Sequence, residues 1–214
     1  MALKAVVYDL DGTLVDSRGD LSDSVNAMLG ALGLPPRPDE IIWDFIGEGA
    51  ERLVRRSLGP EHEHRLPEAM KTWRAEYQQR LLVKTKPYPG IVELLTVPPD
   101  ARGVLTNKPG SFAREILQGL GLAQFFGAVI GGDEAPRKPA PEGLLALCRL
   151  LGAAPAETLL IGDSHVDVAT GRAAGVLVCA VCWGLGSRDV LASASPDFLC
   201  SHSGEVGELL ERLG

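Results

Sequence analysis

The stretch Lys4–Asp16, KAVVYDLDGTLVD, decides the fold. Lys4–Tyr8 is rich in β-branched and aromatic residues, which predicts a buried strand. Two carboxylates, Asp9 and Asp11, follow this strand, and Gly12 then allows the backbone to turn away. Both carboxylates are therefore expected above the carboxyl end of the strand. Because two acids so close cannot both ionise cheaply, either a cation lies between them or one keeps its proton.

The composition is that of an ordinary globular protein. At 214 residues, with 45% hydrophobic and 23% charged residues, the chain is long enough for one sizeable domain carrying an insert. Its net charge of −7 argues against nonspecific binding of nucleic acids or anionic membranes, although not against a local basic pocket for a small anion. Because there is neither a membrane-length apolar stretch nor a leader-like segment before the first strand, we expect a cytoplasmic protein.

The chain contains four cysteines, namely Cys148, Cys179, Cys182 and Cys200. Cys179-x-x-Cys182 has the spacing of a zinc or redox site. It lies in a strand-like apolar run, however, and the chain has no second C-x-x-C with which to complete a zinc site. Buried packing cysteines are therefore favoured.

A helical pattern extends from Asp16 to about residue 86. Apolar residues recur at helical spacing in four segments: Leu21–Leu32, Asp39–Phe45, Leu53–Leu58 and Pro67–Leu81. Four helices without a strand between them predict a helical bundle that is inserted as a unit after the first strand. We therefore expect residues 16–86 to form one domain, and residues 1–15 with 87–214 to form the other.

Beyond residue 87, strand-like and helical segments alternate. The predicted strands are Gly103–Leu105, Ala128–Ile130, Thr158–Ile161 and Val176–Val181, and the predicted helices are Phe112–Leu120, Pro141–Leu151 and Val166–Ala174. Such alternation predicts an α/β fold with a doubly wound, Rossmann-like parallel sheet covered on both faces. A sheet of this kind binds its ligand at the carboxyl ends of the strands.

Two of these strands lead into side chains that suit a phosphoryl group. Thr106, Asn107 and Lys108 follow the strand that ends at Leu105, and a hydroxyl with neighbouring amides can donate to phosphoryl oxygens. Lys138 lies just before a predicted helix start, a position that explains the neighbouring prolines but not a lysine.

Further carboxylates follow the strand that ends at Ile161. Asp163 and Asp167 lie four residues apart at a helix start, where capping is a competing explanation for Asp167 and for Ser164. With the acidic turn after the first strand, they would bring several carboxylates to one sheet edge. Such a concentration of negative charge favours a hard cation with oxygen ligands, and Mg²⁺ fits best. An ordinary acidic turn, the alternative for the first motif, would not require this convergence.

The motifs DLDGT, LTNK, RKPAPE and GDSHVD, in this order, resemble the four signature motifs of the haloacid dehalogenase superfamily of aspartyl-phosphate hydrolases. The resemblance covers essentially the whole chain, and it implies that the helical insert is a cap of the four-helix kind. The stretches VDS…DLSDSVNAMLGALGLPP, IGEGA and GVLVCAVCWGLGS are most similar to bacterial phosphoglycolate phosphatases.

The resemblance implies a role for each motif residue. Asp9 would be the nucleophile that attacks phosphorus, and Asp11 the general acid and later the base. The remaining implied roles are phosphate binding by Thr106 and Lys138 with Asn107 adjacent, and Mg²⁺ binding by Asp9, the backbone carbonyl of Asp11 and Asp163, with Gly12 and Asp167 in support.

The acid at position 11 favours a phosphatase, because true dehalogenases of the superfamily lack it. The resemblance therefore implies a Mg²⁺-dependent phosphatase acting on 2-phosphoglycolate or a similar small phosphorylated metabolite. A sugar phosphomutase of the β-phosphoglucomutase type retains both acids and stays open as an alternative, as does a noncatalytic phosphate-binding protein. The sequence does not predict the oligomeric state.

In relatives with this cap type, the turn that matches Gly47-Glu48-Gly49 reaches towards the active site and contributes to the choice of leaving group. Glu48 is a departure, since an acid is an unexpected neighbour for the carboxylate of 2-phosphoglycolate. A solvent-facing Glu48 is the alternative. Arg52 or Arg55 would then be the candidate cation, although arginines on helix surfaces are usually solvated.

Overall fold

The computed structural model describes residues 2–214, in which strands and helices alternate. The strands are β1 (Ala5–Tyr8), β2 (Val15–Asp16), β3 (Lys86–Pro87), β4 (Ala101–Leu105), β5 (Ala128–Ile130), β6 (Thr158–Gly162), β7 (Leu177–Val181) and β8 (Phe198–Cys200). The α-helices are α1 (Arg18–Ala31), α2 (Asp39–Trp43), α3 (Ala50–Leu58), α4 (Leu66–Arg80), α5 (Ile91–Leu94), α6 (Gly110–Gly119), α7 (Glu142–Leu150), α8 (His165–Ala174), α9 (Arg188–Ser193) and α10 (Ser203–Leu213).

Six strands form one parallel sheet in the order β5-β4-β1-β6-β7-β8. β1 lies at its centre, where Ala5 is opposite Ala101 of β4 on one side and Thr158 of β6 on the other. The chain order reverses at β1, so the sheet has its topological switch point there, and this is where a doubly wound sheet binds its ligand. The predicted α/β architecture is confirmed.

Both faces of β1 are buried, which explains its uninterrupted apolar sequence. Val6 and Tyr8 belong to a hydrophobic cluster that includes residues of α5, α6 and α10. Val7, which faces the other way, packs in a second cluster with residues of α7 and α8. The alternation along β1 therefore divides its side chains between two helical layers.

The helices α1 to α4 lie between β2 and β3, as the predicted insertion requires. β2 and β3 pair antiparallel, with Val15 opposite Pro87 and Asp16 opposite Lys86, so the chain enters and leaves the helical insert through one short ladder. Near this ladder the buried Asp20 carboxylate accepts hydrogen bonds from the backbone N–H groups of Lys84 and Thr85. The division into domains at residues 16–86 stays a prediction.

Several elements were not predicted from the sequence. β2 and β3 contain two residues each, too few for a periodic pattern, and β8 contains three. α5, α9 and α10 were also not predicted; α5 has only four residues. Within the part of the chain that the structure describes, no helix is long and apolar enough to cross a membrane.

Three of the four cysteines are buried, as predicted, and Cys182 is half-buried. The Sγ atoms of Cys179 and Cys200 lie 3.5 Å apart on the neighbouring strands β7 and β8. All four are free thiols.

Candidate active site

Asp9 follows β1 directly and remains tied to the sheet, because its backbone N–H donates to the carbonyl of Ile161 at 2.9 Å. Its Oδ1 accepts the N–H of Leu10 at 2.7 Å and lies 2.8 Å from Nζ of Lys138. None of the hydrogen bonds among residues 2–214 reaches its Oδ2. The Asp9 carboxylate is thus fixed at one oxygen and free at the other.

Asp11 is held in the same way. Its Oδ1 accepts a hydrogen bond from the Ser17 hydroxyl and lies 2.6 Å from Nζ of Lys108. Among the described residues no donor reaches Oδ2 of Asp11, which leaves that oxygen available to a ligand. Both acids are nearly buried, Asp9 being 7% exposed and Asp11 9%.

Gly12 separates these acids from the loop after β6. Its φ of +88° lies in the region that favours glycine, and a Cβ added there would lie 2.1 Å from Oδ2 of Asp163. Asp163 is positioned by Thr13, whose hydroxyl donates to Oδ1 at 3.0 Å, and by the backbone N–H of Leu185, which donates to Oδ2 at 2.7 Å. A glycine at position 12 therefore allows the two acidic loops to meet.

Asp167 has two structural partners. It forms a capping box with Ser164 at the start of α8, because the Ser164 hydroxyl accepts from its N–H while Asp167 Oδ2 accepts from the Ser164 N–H. Its other oxygen accepts from Nζ of Lys138 at 2.6 Å. Capping, the competing explanation, is therefore real, yet the same carboxylate also belongs to the acidic cluster.

The carboxylates of Asp9, Asp163 and Asp167 converge, with one oxygen of each within 4.8 Å of the others. Burial, together with the charge of its acidic neighbours, raises the pKa of Asp9 to about 8 even though Lys138 opposes this. Burial and then the charge of Asp167 raise the pKa of Asp163 to about 7. Three buried oxygen donors facing a single lysine fit a small hard cation such as Mg²⁺. The Asp11 side chain lies outside this cluster, and metal binding by its backbone carbonyl stays a prediction.

The loop after β4 joins the other two motifs. Thr106 is buried, and its hydroxyl accepts from the N–H of Lys108 at 3.2 Å. The Asn107 side chain donates to the carbonyls of Gly47 at 3.0 Å and Lys138 at 3.2 Å, and accepts from the Lys138 N–H at 2.9 Å. Asn107 thus holds the turn of the helical insert at Gly47 and the loop that carries Lys138. Its contact with phosphate stays a prediction.

A cavity lies over Asp9 and Asp11, between the sheet edge and the helical insert. On the core side it is lined by Thr106, Asn107 and Lys108. On the insert side Gly47 and Gly49 contribute backbone, and the remaining wall is apolar, formed by Leu21, Ile46, Ala50, Leu53 and Trp73. A small substrate held here would be largely removed from water.

The structure does not bring the charged cap residues into this cavity. Glu48 forms ion pairs with Arg52 and with Arg56, the latter at 2.7 Å, and Arg55 pairs with Glu51 at 2.7 Å and with Glu63. Arg52 is 60% exposed. The roles of Glu48 and Arg52 in substrate choice stay predictions, and neither side chain lies next to the two acids.

Three residues beside the site were not assigned a role from the sequence. Lys108 could be recognised in the sequence only as part of the LTNK motif, which gave it no role of its own. Trp73 and Tyr77 lie one turn apart on α4, with stacked rings 5.2 Å apart, and their helical spacing indicated only a packed face. Tyr77 and Trp73 also contact Phe112 of α6 edge-on, at 5.2 and 6.1 Å between ring centroids.

Comparison with known proteins identifies the family. The model of the haloacid dehalogenase-like hydrolases matches residues 6–181, which is most of the chain and includes all four motifs. This chain belongs to the haloacid dehalogenase-like hydrolases. The family resemblance predicted from the motifs is confirmed.

Curated relatives of this haloacid dehalogenase-like hydrolase are phosphatases. The N-acetylmuramic acid 6-phosphate phosphatase of Pseudomonas aeruginosa is 37% identical, over 99% of this chain and 96% of its own. The phosphoglycolate phosphatase of Rhodospirillum rubrum is 41% identical, over 89% of this chain and 83% of its own. A crystal structure of a "predicted phosphoglycolate phosphatase" from Haemophilus somnus superposes with a TM-score of 0.89 at 27% identity, covering 97% of each chain. The chain is a phosphoric monoester hydrolase.

Proposed function

We propose that this hydrolase is a Mg²⁺-dependent phosphatase that acts on 2-phosphoglycolate or a similarly small phosphomonoester through an aspartyl-phosphate. The observation that carries the proposal is the environment of Asp9. One of its carboxylate oxygens is anchored by Leu10 and Lys138, while the other is free beside a cavity that Asp11 also lines. A nucleophile and a general acid in one partly closed cavity are what phosphoryl transfer to an enzyme carboxylate requires.

The two carboxyl groups divide the reaction between them. Oδ2 of Asp9 attacks phosphorus, the bond from phosphorus to the leaving oxygen breaks, and Asp11 gives that oxygen its proton. Asp11 then takes a proton from water, whose oxygen attacks the aspartyl-phosphate. Inorganic phosphate leaves and the Asp9 carboxylate is restored. Lys138 lies 2.8 Å from Asp9, so its ammonium is placed to offset charge on the phosphoryl oxygens.

Mg²⁺ would be held by Asp9 and Asp163, with Asp167 in support, and would screen the repulsion between a carboxylate and a phosphate dianion. The buried acidic cluster supports this assignment, since Lys138 contacts only two of its three carboxylates directly.

Replacement of the nucleophile tests the mechanism. We expect Asp9→Asn to lower kcat for phosphate release by about 10⁴-fold or more, because an amide cannot form the acyl phosphate. Asp39→Asn, an exposed acid at the start of α2, is the matched control and should retain activity. Full activity in the Asp9→Asn variant would exclude the nucleophile assignment.

N-acetylmuramic acid 6-phosphate is the second candidate substrate, because the P. aeruginosa phosphatase aligns with nearly the whole chain. Phosphate release from this compound and from 2-phosphoglycolate, each measured as kcat/KM with and without Mg²⁺, separates the two. The same assay tests the other predicted activities. A phosphomutase would isomerise a sugar phosphate without releasing phosphate, and a binding protein would release none from either compound.

A further inference from the structure

The proposed mechanism leaves one buried cation of the cavity without a task. Lys108 is 6% exposed and is the basic residue among the described residues that line the cavity. Lys138 already supplies the ammonium beside Asp9 and Asp167. Because a buried ammonium is costly unless its charge is compensated, Lys108 needs a second anionic partner whenever Asp11 carries the proton that it gives to the leaving oxygen.

The ammonium of Lys108 retains a free donor. Of its three N–H groups, one is directed to Oδ1 of Asp11 at 2.6 Å. The Tyr77 ring lies against it, with its centroid 5.0 Å from Nζ, and this aromatic contact stabilises the cation.

Two neutral donors beside Lys108 lack acceptors. The indole N–H of Trp73 and the hydroxyl of Tyr77 are buried, and neither has a hydrogen-bond partner within residues 2–214. Trp73 lines the cavity; Tyr77 does not, but its ring stacks on Trp73 and lies against Lys108. Buried donors without acceptors are uncommon and unfavourable, so an anionic group bound at this end of the cavity would satisfy them.

We propose that Lys108, assisted by Tyr77 and Trp73, binds a carboxylate on the leaving group and thereby selects the substrate. This inference rests on the proposed phosphatase function. Asp11 protonates the leaving oxygen, and Lys108 contacts Asp11 directly, so a group that Lys108 binds lies within a few bonds of that oxygen. A 2-phosphonooxy carboxylate meets this condition. N-acetylmuramic acid 6-phosphate does not, because its carboxylate is on the lactyl ether at C3 of the sugar, remote from the phosphorylated oxygen.

The test compares two substrates that differ at one group. 2-Phosphoglycolate carries the carboxylate, and 2-hydroxyethyl phosphate carries a hydroxymethyl group in its place. In Lys108→Met, we expect the ratio of kcat/KM for the first substrate to kcat/KM for the second to fall by about 10- to 100-fold. Lys71→Met, which removes an exposed lysine of α4, is the matched control and should leave the ratio unchanged.

Equal losses of kcat/KM on both substrates in Lys108→Met would overturn the proposal, since they would show that Lys108 acts only through its contact with Asp11. Tyr77→Phe keeps the ring and Trp73→Phe keeps a smaller aromatic side chain, and each removes one donor, so they test the proposal even if Lys108→Met does not fold. Each should lower the ratio by about 3- to 10-fold, and an unchanged ratio in both would exclude a shared carboxylate site. A wild-type preference for N-acetylmuramic acid 6-phosphate would overturn the carboxylate site and leave the phosphatase chemistry standing.

Discussion

Gly12 lies where the loop after β1 meets the side chain of Asp163. We expect Gly12→Ala to destabilise the protein by about 2 kcal/mol or more, because the backbone is at a positive φ and the new methyl would overlap the carboxylate. Phosphatase activity should fall with it, since Asp163 must move. Urea denaturation and the Mg²⁺ concentration needed for half-maximal activity measure the two effects.

Gly30→Ala is the matched control for that substitution. Gly30 lies in α1, and a Cβ added there has nothing within 4 Å. Alanine is favoured over glycine inside a helix, so this variant should gain up to about 1 kcal/mol and keep its activity. Equal stability losses in the two variants would show that the contact with Asp163 is not the cause.

The residues most accessible to sequence reasoning were those that end a strand. Asp9, Thr106 and Asp163 each follow an apolar segment that forms a strand. The carboxyl ends of parallel strands lie at the same edge of a sheet, so these residues were expected to lie together. Lys108 could be recognised as part of the LTNK motif, but nothing in the sequence indicated which residues it contacts. The donors that surround it come from α4, so their placement depends on how the helical insert packs over the core.

Among the elements, α1 and the segment before β3 are joined by one buried carboxylate. Asp20 is fully buried and accepts from the backbone N–H groups of Lys84 and Thr85, and from the Thr85 hydroxyl at 2.7 Å. We expect Asp20→Ala to cost about 3 to 5 kcal/mol, because it leaves several buried donors unpaired. Chemical denaturation followed by circular dichroism measures this loss.

Asp23 on the same helix supplies the comparison. It pairs with Lys84 at 2.6 Å, but both side chains are substantially exposed, so solvent screens the pair. Asp23→Ala should therefore change the denaturation midpoint much less than Asp20→Ala. Similar losses in the two variants would mean that the buried bonds of Asp20 do not hold α1 to the segment before β3.

The two longest helices, α1 and α4, were predicted from the sequence, whereas the shortest elements, β2, β3 and α5, were not. α1 and α4 contain 14 and 15 residues, enough for an apolar face to recur over several turns. β2, β3 and α5 are too short to show any period, and their formation depends on tertiary pairing. The ladder between β2 and β3 therefore became visible only in the folded chain.

For the whole molecule, metal binding and folding stability are linked through protons. Asp9 and Asp163 have pKa values raised to about 8 and about 7 in the folded chain, well above the ordinary value of a carboxyl group in an unfolded chain. Between about pH 4 and pH 8, the metal-free folded state thus holds protons that the unfolded state has released. Its stability should fall as the pH rises through this range.

Mg²⁺ should remove that dependence, because it replaces protons on the same carboxylates. The increase in Tm on adding Mg²⁺ to protein in EDTA is expected to be larger at about pH 8 than at about pH 5. Asp163→Asn should reduce the increase at both pH values. A Tm increase that does not depend on pH would contradict a cation site formed by these acids.

The ladder between β2 and β3 also bears on how this protein can be rebuilt. Because Val15 is opposite Pro87 and Asp16 is opposite Lys86, the entry and exit of the helical insert are neighbouring strands. A segment with adjacent ends can be exchanged without moving the sheet to which it is attached. Grafting the corresponding segment of a relative onto this ladder would replace the apolar wall and the donors of Trp73 and Tyr77 together, while Asp9, Lys108 and Lys138 remain in the recipient.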